Sequence, residues 1–199
     1  MISYQPKPEE IKTLREETSA PMLDCRKALV DAAGDVERAK ALLLERGAAQ
    51  AAKKAERAAD EGLVTSYIHA GGKIGVLVEV NSETDFVARN PKFGELSRDI
   101  AMHIAAMSPA YLDRESVPNG VVDQLREEFR AAVPAGKAPE IGEKIVEGKL
   151  NKWFEEHCLL EQAFVKDDAI SIGDLVHRSI GALGEKIRVR RFARYALGE

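Results

Sequence analysis

At 199 residues the chain has room for one large domain and a small satellite, and its 45% apolar content supplies a sizeable core. A formal charge of −4, with no basic surplus, counts against a dedicated nucleic-acid binder and favours a protein partner. Cys25 and Cys158 stand in no CxxC or Cys/His spacing, the opening MISYQPKPEEIKTLREE lacks the basic start and apolar stretch of a signal peptide, and no run approaches a membrane span; a cytoplasmic chain without disulfide framework, zinc site or membrane role is expected.

Residues 1 to about 7 read as frayed, after which a helix is predicted from Glu9 to Thr18, with Ile11 and Leu14 on one face and Pro8 in its first turn. Pro21 forces a break. A second helix follows from Met22 to Ala33, where Met22, Cys25, Leu29 and Ala32 recur at helical spacing and Gly34 supplies the stop. Asp35 caps a third, Val36 to Arg46, which buries Val36, Ala39, Leu42 and Leu43 and ends at Gly47. The stretch AAQAAKKAERAADE favours helix but offers little apolar surface, so it reads as a semi-rigid linker. The expected organisation is a three-helix module over residues 1–48, a helical linker over 49–62 and an α+β core over 63–199.

Within that core, Leu63 to Ala70 and Ile74 to Asn81 are β-favouring runs joined by Gly71, Gly72 and Lys73, which predicts a hairpin. Ile74, Val76, Val78 and Val80 give its second arm one apolar face, and Asn81 ends it. After Asn90 and Pro91, the stripe Phe93, Leu96, Ile100, Ile104 and Met107 marks the longest amphipathic helix, the natural cover for the hairpin. Shorter helices are expected at Val121 to Val133, Glu140 to Glu156 and Gly173 to Leu183. In the final strand Ile187 and Val189 alternate with Arg188 and Arg190, yet Phe192 falls on the arginine parity, which requires a bulge near Arg191. Three antiparallel strands packed with helices result.

Motifs for chemistry are sparse. No GxxxxGK[ST] occurs, and Gly71, Gly72 and Gly75 make a hairpin turn rather than a GxGxxG. His69, His103, His157 and His177 fall on four separate elements; His157 and Cys158, imaginable as base and thiol, point apart as chain neighbours. Asp167 and Asp168 read as a cap or turn before Ile170. Lys186, Arg188, Arg190, Arg191 and Arg194 offer phosphate contacts, with Phe192 and Tyr195 as stacking groups, but a solvated strand face fits the acidic whole better. NSETDFV, residues 81–87, sets Phe86 where the chain leaves a strand for a helix. Composition allows a Phe86 tucked into the core with Thr84 or Asp85 capping the turn, or an exposed aromatic.

NSETDFVARN resembles the TDFVA signature of the elongation factor Ts family. IKTLREETSAPMLDCRKAL is similar to that family's opening KxLRxxTGAGMMDCKKAL, and AGDVERAKALLLERG, AAKKA, HIAAMSP, KIVEGKLNKWFEE, LLEQAFVKD and GEKIRVRRFARY follow in family order, so the resemblance spans about residues 8 to 197. It implies a ubiquitin-associated-like module, a linker and an α+β core that together grip elongation factor Tu and promote GDP release, with no cofactor and no reaction of the chain's own. Thr84, Asp85, Phe86 and Val87 would dislodge Mg²⁺ from Tu. Lys12, Arg15, Met22 and Leu23 match positions that lean on the GTPase domain; because Met22 and Leu23 are adjacent, one is left free to reach the partner. His103, Phe164 and Val165 match positions near the tip of Tu's third domain.

Ser19 and Pro21 replace the glycines of the family's TGAGMM, which stiffens the first interhelix loop, and Ala193 stands where some short relatives carry a cysteine, so no disulfide-linked dimer carries over. Short members are expected to pair, as a homodimer and a 2:2 complex with Tu. Three strands with exposed edges give an independent motive for pairing. Two other classes stay open at this level: a passive adaptor that binds without speeding GDP release, and a small thiol enzyme using Cys158.

Overall fold

A computed structural model describes residues 4–134 and 136–199. The first three helices are α1 (Pro8–Thr18), α2 (Met22–Asp31) and α3 (Val36–Lys54). Leu14, Cys25, Ala28, Leu29, Ala39 and Leu43 close a small core between them. The capping is as the sequence dictates at Asp35, whose side chain accepts the Arg38 N–H at 2.9 Å. Between α1 and α2, Ser19 occupies the left-handed region at φ 56°, a conformation that costs an L-residue roughly 1 kcal/mol and a glycine almost nothing. Tyr4, expected to fray, instead packs against this core and donates its hydroxyl to Glu10 at 2.9 Å.

Two further departures change how the module joins the rest. Met22 and Val36 are exposed rather than buried; the inward positions of α2 are Cys25, Ala28 and Leu29. Gly47 does not end α3, which runs seven residues further to Lys54. Its packing partner explains this: a Cβ at Gly47 would sit 2.9 Å from the His177 carbonyl oxygen of α8 (Ile172–Leu183), and a Cβ at Gly181 would sit 3.8 Å from the Cα of Gly47. The small residue is there for helix-to-helix approach, and tertiary contact overrides the local stop signal. The first part of the expected helical linker, residues 49–54, is therefore a continuation of α3, whereas residues 55–60 are not helical and 61–62 already belong to a strand.

In the main body β1 (Glu61–Ile68) and β2 (Ile74–Ser82) form the expected hairpin, and β5 (Ile187–Ala196) pairs antiparallel on the other side of β2, giving the order β1-β2-β5. Asn81 does not terminate β2 but pairs with both Gly62 and Arg188. The bulge falls at Arg190: Arg191 pairs with Glu79 while Val189 pairs with Val80, so Phe192 swings to the face of Val78. Val76, Val78 and Val80 are buried under α5 (Pro91–Met107), which contributes Phe93, Leu96, Ile100 and Ile104; Met107 lies exposed at the helix end. Each such side chain adds about 1.5–3 kcal/mol relative to exposure. Ile172, Val176 and Ile180 of α8 complete this core.

A short α4 (Asp85–Ala88) joins β2 to α5. The helices α6 (Asn119–Ala131) and α7 (Pro139–His157) form a hairpin seated on a satellite core of Val117, Leu150, Phe154 and Cys158. After α7 comes a second sheet that the sequence reading lacked, β3 (Ala163–Phe164) and β4 (Asp167–Ser171). Asp167 and Asp168 belong to β4 rather than to a cap or turn ahead of Ile170. The architecture is α+β: eight α-helices, a three-stranded antiparallel sheet and a two-stranded one among the described residues.

Candidate functional site

Residues 83–90 hold an exposed aromatic side chain on a short helix turn. Thr84 caps α4, its hydroxyl oxygen accepting the Val87 N–H at 3.4 Å, and Val87 and Ala88 plunge into the main core. Between them Phe86 stands 78% exposed. Asp85 beside it is also open to solvent and pairs with Arg89 at 2.8 Å. Of the two readings that composition allowed, the structure combines the cap of one with the exposed aromatic of the other.

The segment is braced from below. Glu185 accepts the Thr84 N–H at 3.0 Å with one carboxylate oxygen and the Thr84 hydroxyl at 2.6 Å with the other. Glu83 in turn accepts the Lys186 N–H at 2.6 Å and lies 3.3 Å from the Arg57 guanidinium. The Lys186 amide and then Arg57 hold the Glu83 carboxyl below its ordinary pKa, against the opposing effect of burial. Lys186 also donates to the carbonyl of Arg57 at 2.7 Å and to that of Ala55, and Lys54 donates to the carbonyl of Gly184. Sequence reasoning missed Glu83 and Glu185 and read Lys186 only as part of a basic strand, and no local signal could have paired positions 101 residues apart.

Among the remaining candidates, Lys12, Arg15, Met22 and Leu23 all reach solvent on the N-terminal helices. Met22 and Leu23 are 57% and 67% exposed, so both side chains of the adjacent pair are free, not one. At the other pole of the core His103, Phe164 and Val165 come together. His103 is fully buried, its ring 6.2 Å from that of Phe164; Val165 is exposed while Phe164 is buried. Because Val165 N–H donates to His103 Nδ1 at 3.3 Å, the proton of the neutral ring sits on Nε2, which donates to Gln162 Oε1 at 3.0 Å. Gln162 passes the chain on to the Glu156 carbonyl at 2.8 Å.

Burial pushes the His103 pKa below its ordinary 6.5, the Gln162 bond opposing only in part. With the folded value depressed, the neutral ring's contribution is fully present above about pH 6.5 and is lost as pH falls through that unfolded value, where only the unfolded chain takes up the proton. The denaturant midpoint is expected to fall between about pH 7 and about pH 5.5 by more in the native chain than in His103→Gln. Equal falls would show that His103 is not the group titrating.

Cys158 is buried, and burial first, then Glu161 and Asp113, push its thiol up to about 11. His157 turns away from it, stacking on Trp153 at 4.3 Å and bonding that residue's carbonyl through Nδ1 at 2.8 Å. No cluster of three or more metal-ligating side chains occurs among the described residues.

A family model described as Elongation factor TS matches residues 35–199. The chain is 54% identical over 191 residues to the elongation factor Ts of Koribacter versatilis, covering 96% of this chain and 87% of that one. The chain belongs to the elongation factor Ts family. The elongation factor Ts of Syntrophomonas wolfei is likewise 54% identical over 192 residues, 96% of this chain and 90% of its own. That of Thermoanaerobacter sp. is 50% identical over 200 residues, all of this chain and 96% of its own. The family match begins just before α3 and contains the braced loop, whereas these relatives also cover the helices that carry Lys12, Arg15, Met22 and Leu23. No described helix is long and apolar enough to cross a membrane.

Proposed function

We propose that the chain is a guanine nucleotide exchange factor that docks on elongation factor Tu bound to GDP, dislodges Mg²⁺ with Thr84, Asp85, Phe86 and Val87, and thereby lets GDP leave and GTP enter, without chemistry of its own. The observation that carries the reading is Phe86, held out in solvent by a helix turn whose other apolar residues are buried. Leaving an aromatic side chain in water forgoes about 1.5–3 kcal/mol of burial, which a partner pocket can recover. Asp85, next to it, supplies a carboxylate able to accept backbone amides of the partner. Exchange follows from reciprocity: if the chain and GDP each bind Tu but disfavour one another, each weakens the other by the same factor, and a transient ternary complex becomes the route for release. Lys12, Arg15, Met22 and Leu23 would rest on the GTPase domain, and Val165, with Phe164 and His103 shaping it from beneath, on the third domain. Release of a fluorescent GDP from Tu tests this. The native chain should accelerate release many-fold, whereas binding without acceleration would leave only the adaptor reading.

The division of labour we infer is a recognition module over residues 1–48, a linking segment over 49–62 that is helical only as far as Lys54 and enters β1 at Glu61, and a core over 63–199 that serves both Tu and a second copy of the chain, in the cytoplasm and without nucleic acid, membrane or cofactor. Val64, Ile68, Leu77 and Tyr195, all exposed, share the sheet face opposite α5. A self-complementary apolar sheet face of this kind suits an isologous pair, which would give a 2:2 complex with Tu. Light scattering at micromolar concentration should return twice the 21.8 kDa chain mass; a monomer that retains full exchange activity removes the pairing.

A further inference from the structure

The helix turn that presents Phe86 cannot hold itself. It is four residues long, shorter than any helix stable alone, and its N-terminal side-chain cap, Val87 N–H to the Thr84 hydroxyl, is long at 3.4 Å. Val87 and Ala88 fix one end in the core. At the other end Ser82, the last residue of β2, donates its hydroxyl to the Thr84 carbonyl at 2.9 Å, which leaves the Thr84 N–H and hydroxyl, and with them the cap, to be fixed from elsewhere. The two consecutive pairs Glu83–Thr84 and Glu185–Lys186 fix them by crossing: the Glu185 carboxylate takes the Thr84 N–H while the Glu83 carboxylate takes the Lys186 N–H. Glu185 also fixes the only hydroxyl proton of Thr84, which turns that oxygen's lone pairs toward Val87 N–H and makes the cap depend on the carboxylate.

We propose that Glu185 is a positioning residue for nucleotide exchange: it acts through Thr84 to set the direction in which Phe86 meets the partner. This rests on the exchange reading above. The brace also reaches the N-terminal module, because the same turn, residues 184–186, is bonded by Lys54 at the end of α3 and bonds the carbonyls that follow it through Lys186. One turn thus bonds both the segment that ends the three-helix module and the residue that caps the Phe86 turn.

The test is the rate of fluorescent GDP release from Tu, measured against concentration of the chain, for the native protein, Glu185→Gln, Thr84→Val, Thr84→Ser, Phe86→Ala and the double variant Phe86→Ala with Glu185→Gln. Glutamine keeps the shape but turns an amide NH₂ toward one of the two Thr84 donors. Glu185→Gln and Thr84→Val are expected to lower the maximal rate about tenfold, a loss of roughly 1.4 kcal/mol, with the half-saturating concentration little changed, and Thr84→Ser should restore it. In the Phe86→Ala background Glu185→Gln should cost nothing more, since its effect passes through the missing ring. An unchanged maximal rate, or the same loss with and without Phe86, overturns the proposal. The native chain separates the two levels: no acceleration by it overturns the exchange reading and this inference together, while acceleration with an inert Glu185→Gln overturns this inference alone.

Discussion

Phe86→Ala is expected to lose most of the acceleration of GDP release, about 30-fold, while its melting temperature stays within a degree or two of the native value. The rate figure follows from truncating a central aromatic anchor, which typically costs 2 kcal/mol or more at an interface. The stability figure follows from its 78% exposure: removing a side chain that packs on little inside its own molecule changes folding by no more than about 0.5 kcal/mol. The pair of outcomes is the informative part. A variant that melts much earlier would show that Phe86 packs on its own core, and one that exchanges normally would move the wedge role elsewhere. Asp85→Asn in the same assay should lose less, because Asp85 is already shared with Arg89 at 2.8 Å in the free protein.

The largest loss of stability is expected at Gly62→Ala. Gly62 lies in β1 opposite Asn81, with φ at +142°, and a Cβ there would lie 2.2 Å from the Val80 carbonyl oxygen and 2.7 Å from the Asn81 Cα. Both obstacles are backbone, in the central strand, so neither can step aside as a flexible side chain would. Strain at such a backbone angle costs about 1–3 kcal/mol on its own, and separating β1 from β2 locally adds to it. A total of about 3 kcal/mol corresponds to a fall of roughly 6–12 °C in melting temperature for a chain of this size. Thermal unfolding followed by circular dichroism measures it; a fall of less than about 2 °C would mean that β1 relaxes away from β2 at this point without penalty.

What was legible in the sequence was what one-sided burial imprints on it. The alternation of Val76, Val78 and Val80 and the stripe of Phe93, Leu96, Ile100 and Ile104 announce β2 and α5 because each buries one face. Phe192 on the wrong parity announced a bulge, one residue from where it lies. The hairpin of β3 and β4 left no such imprint: β3 has two residues, and the first three of β4 are exposed, so no alternation exists to be read. Gly47 misled because a glycine at a helix crossing and a glycine at a helix end look alike until the opposing helix is known. At the site, the family resemblance singled out Phe86 where composition left its burial open. The carboxylates that bond Thr84 and Lys186 were invisible, since their partners are distant in the chain and any Glu reads as a solvated charge.

The placement of β2 between β1 and β5 has a consequence during biosynthesis. The hairpin partner of β2 precedes it directly, but its other neighbour, and the carboxylate that seizes Thr84 101 residues further on, are made much later. Chains emerge at about 5–20 residues per second and fold from the N-terminal side. The three leading helices can therefore settle early, whereas for several seconds β2 is an open edge and the Phe86 turn swings unbraced. On the function proposed above, a nascent chain in this interval would have its recognition helices in place before the aromatic that opens the partner is aimed.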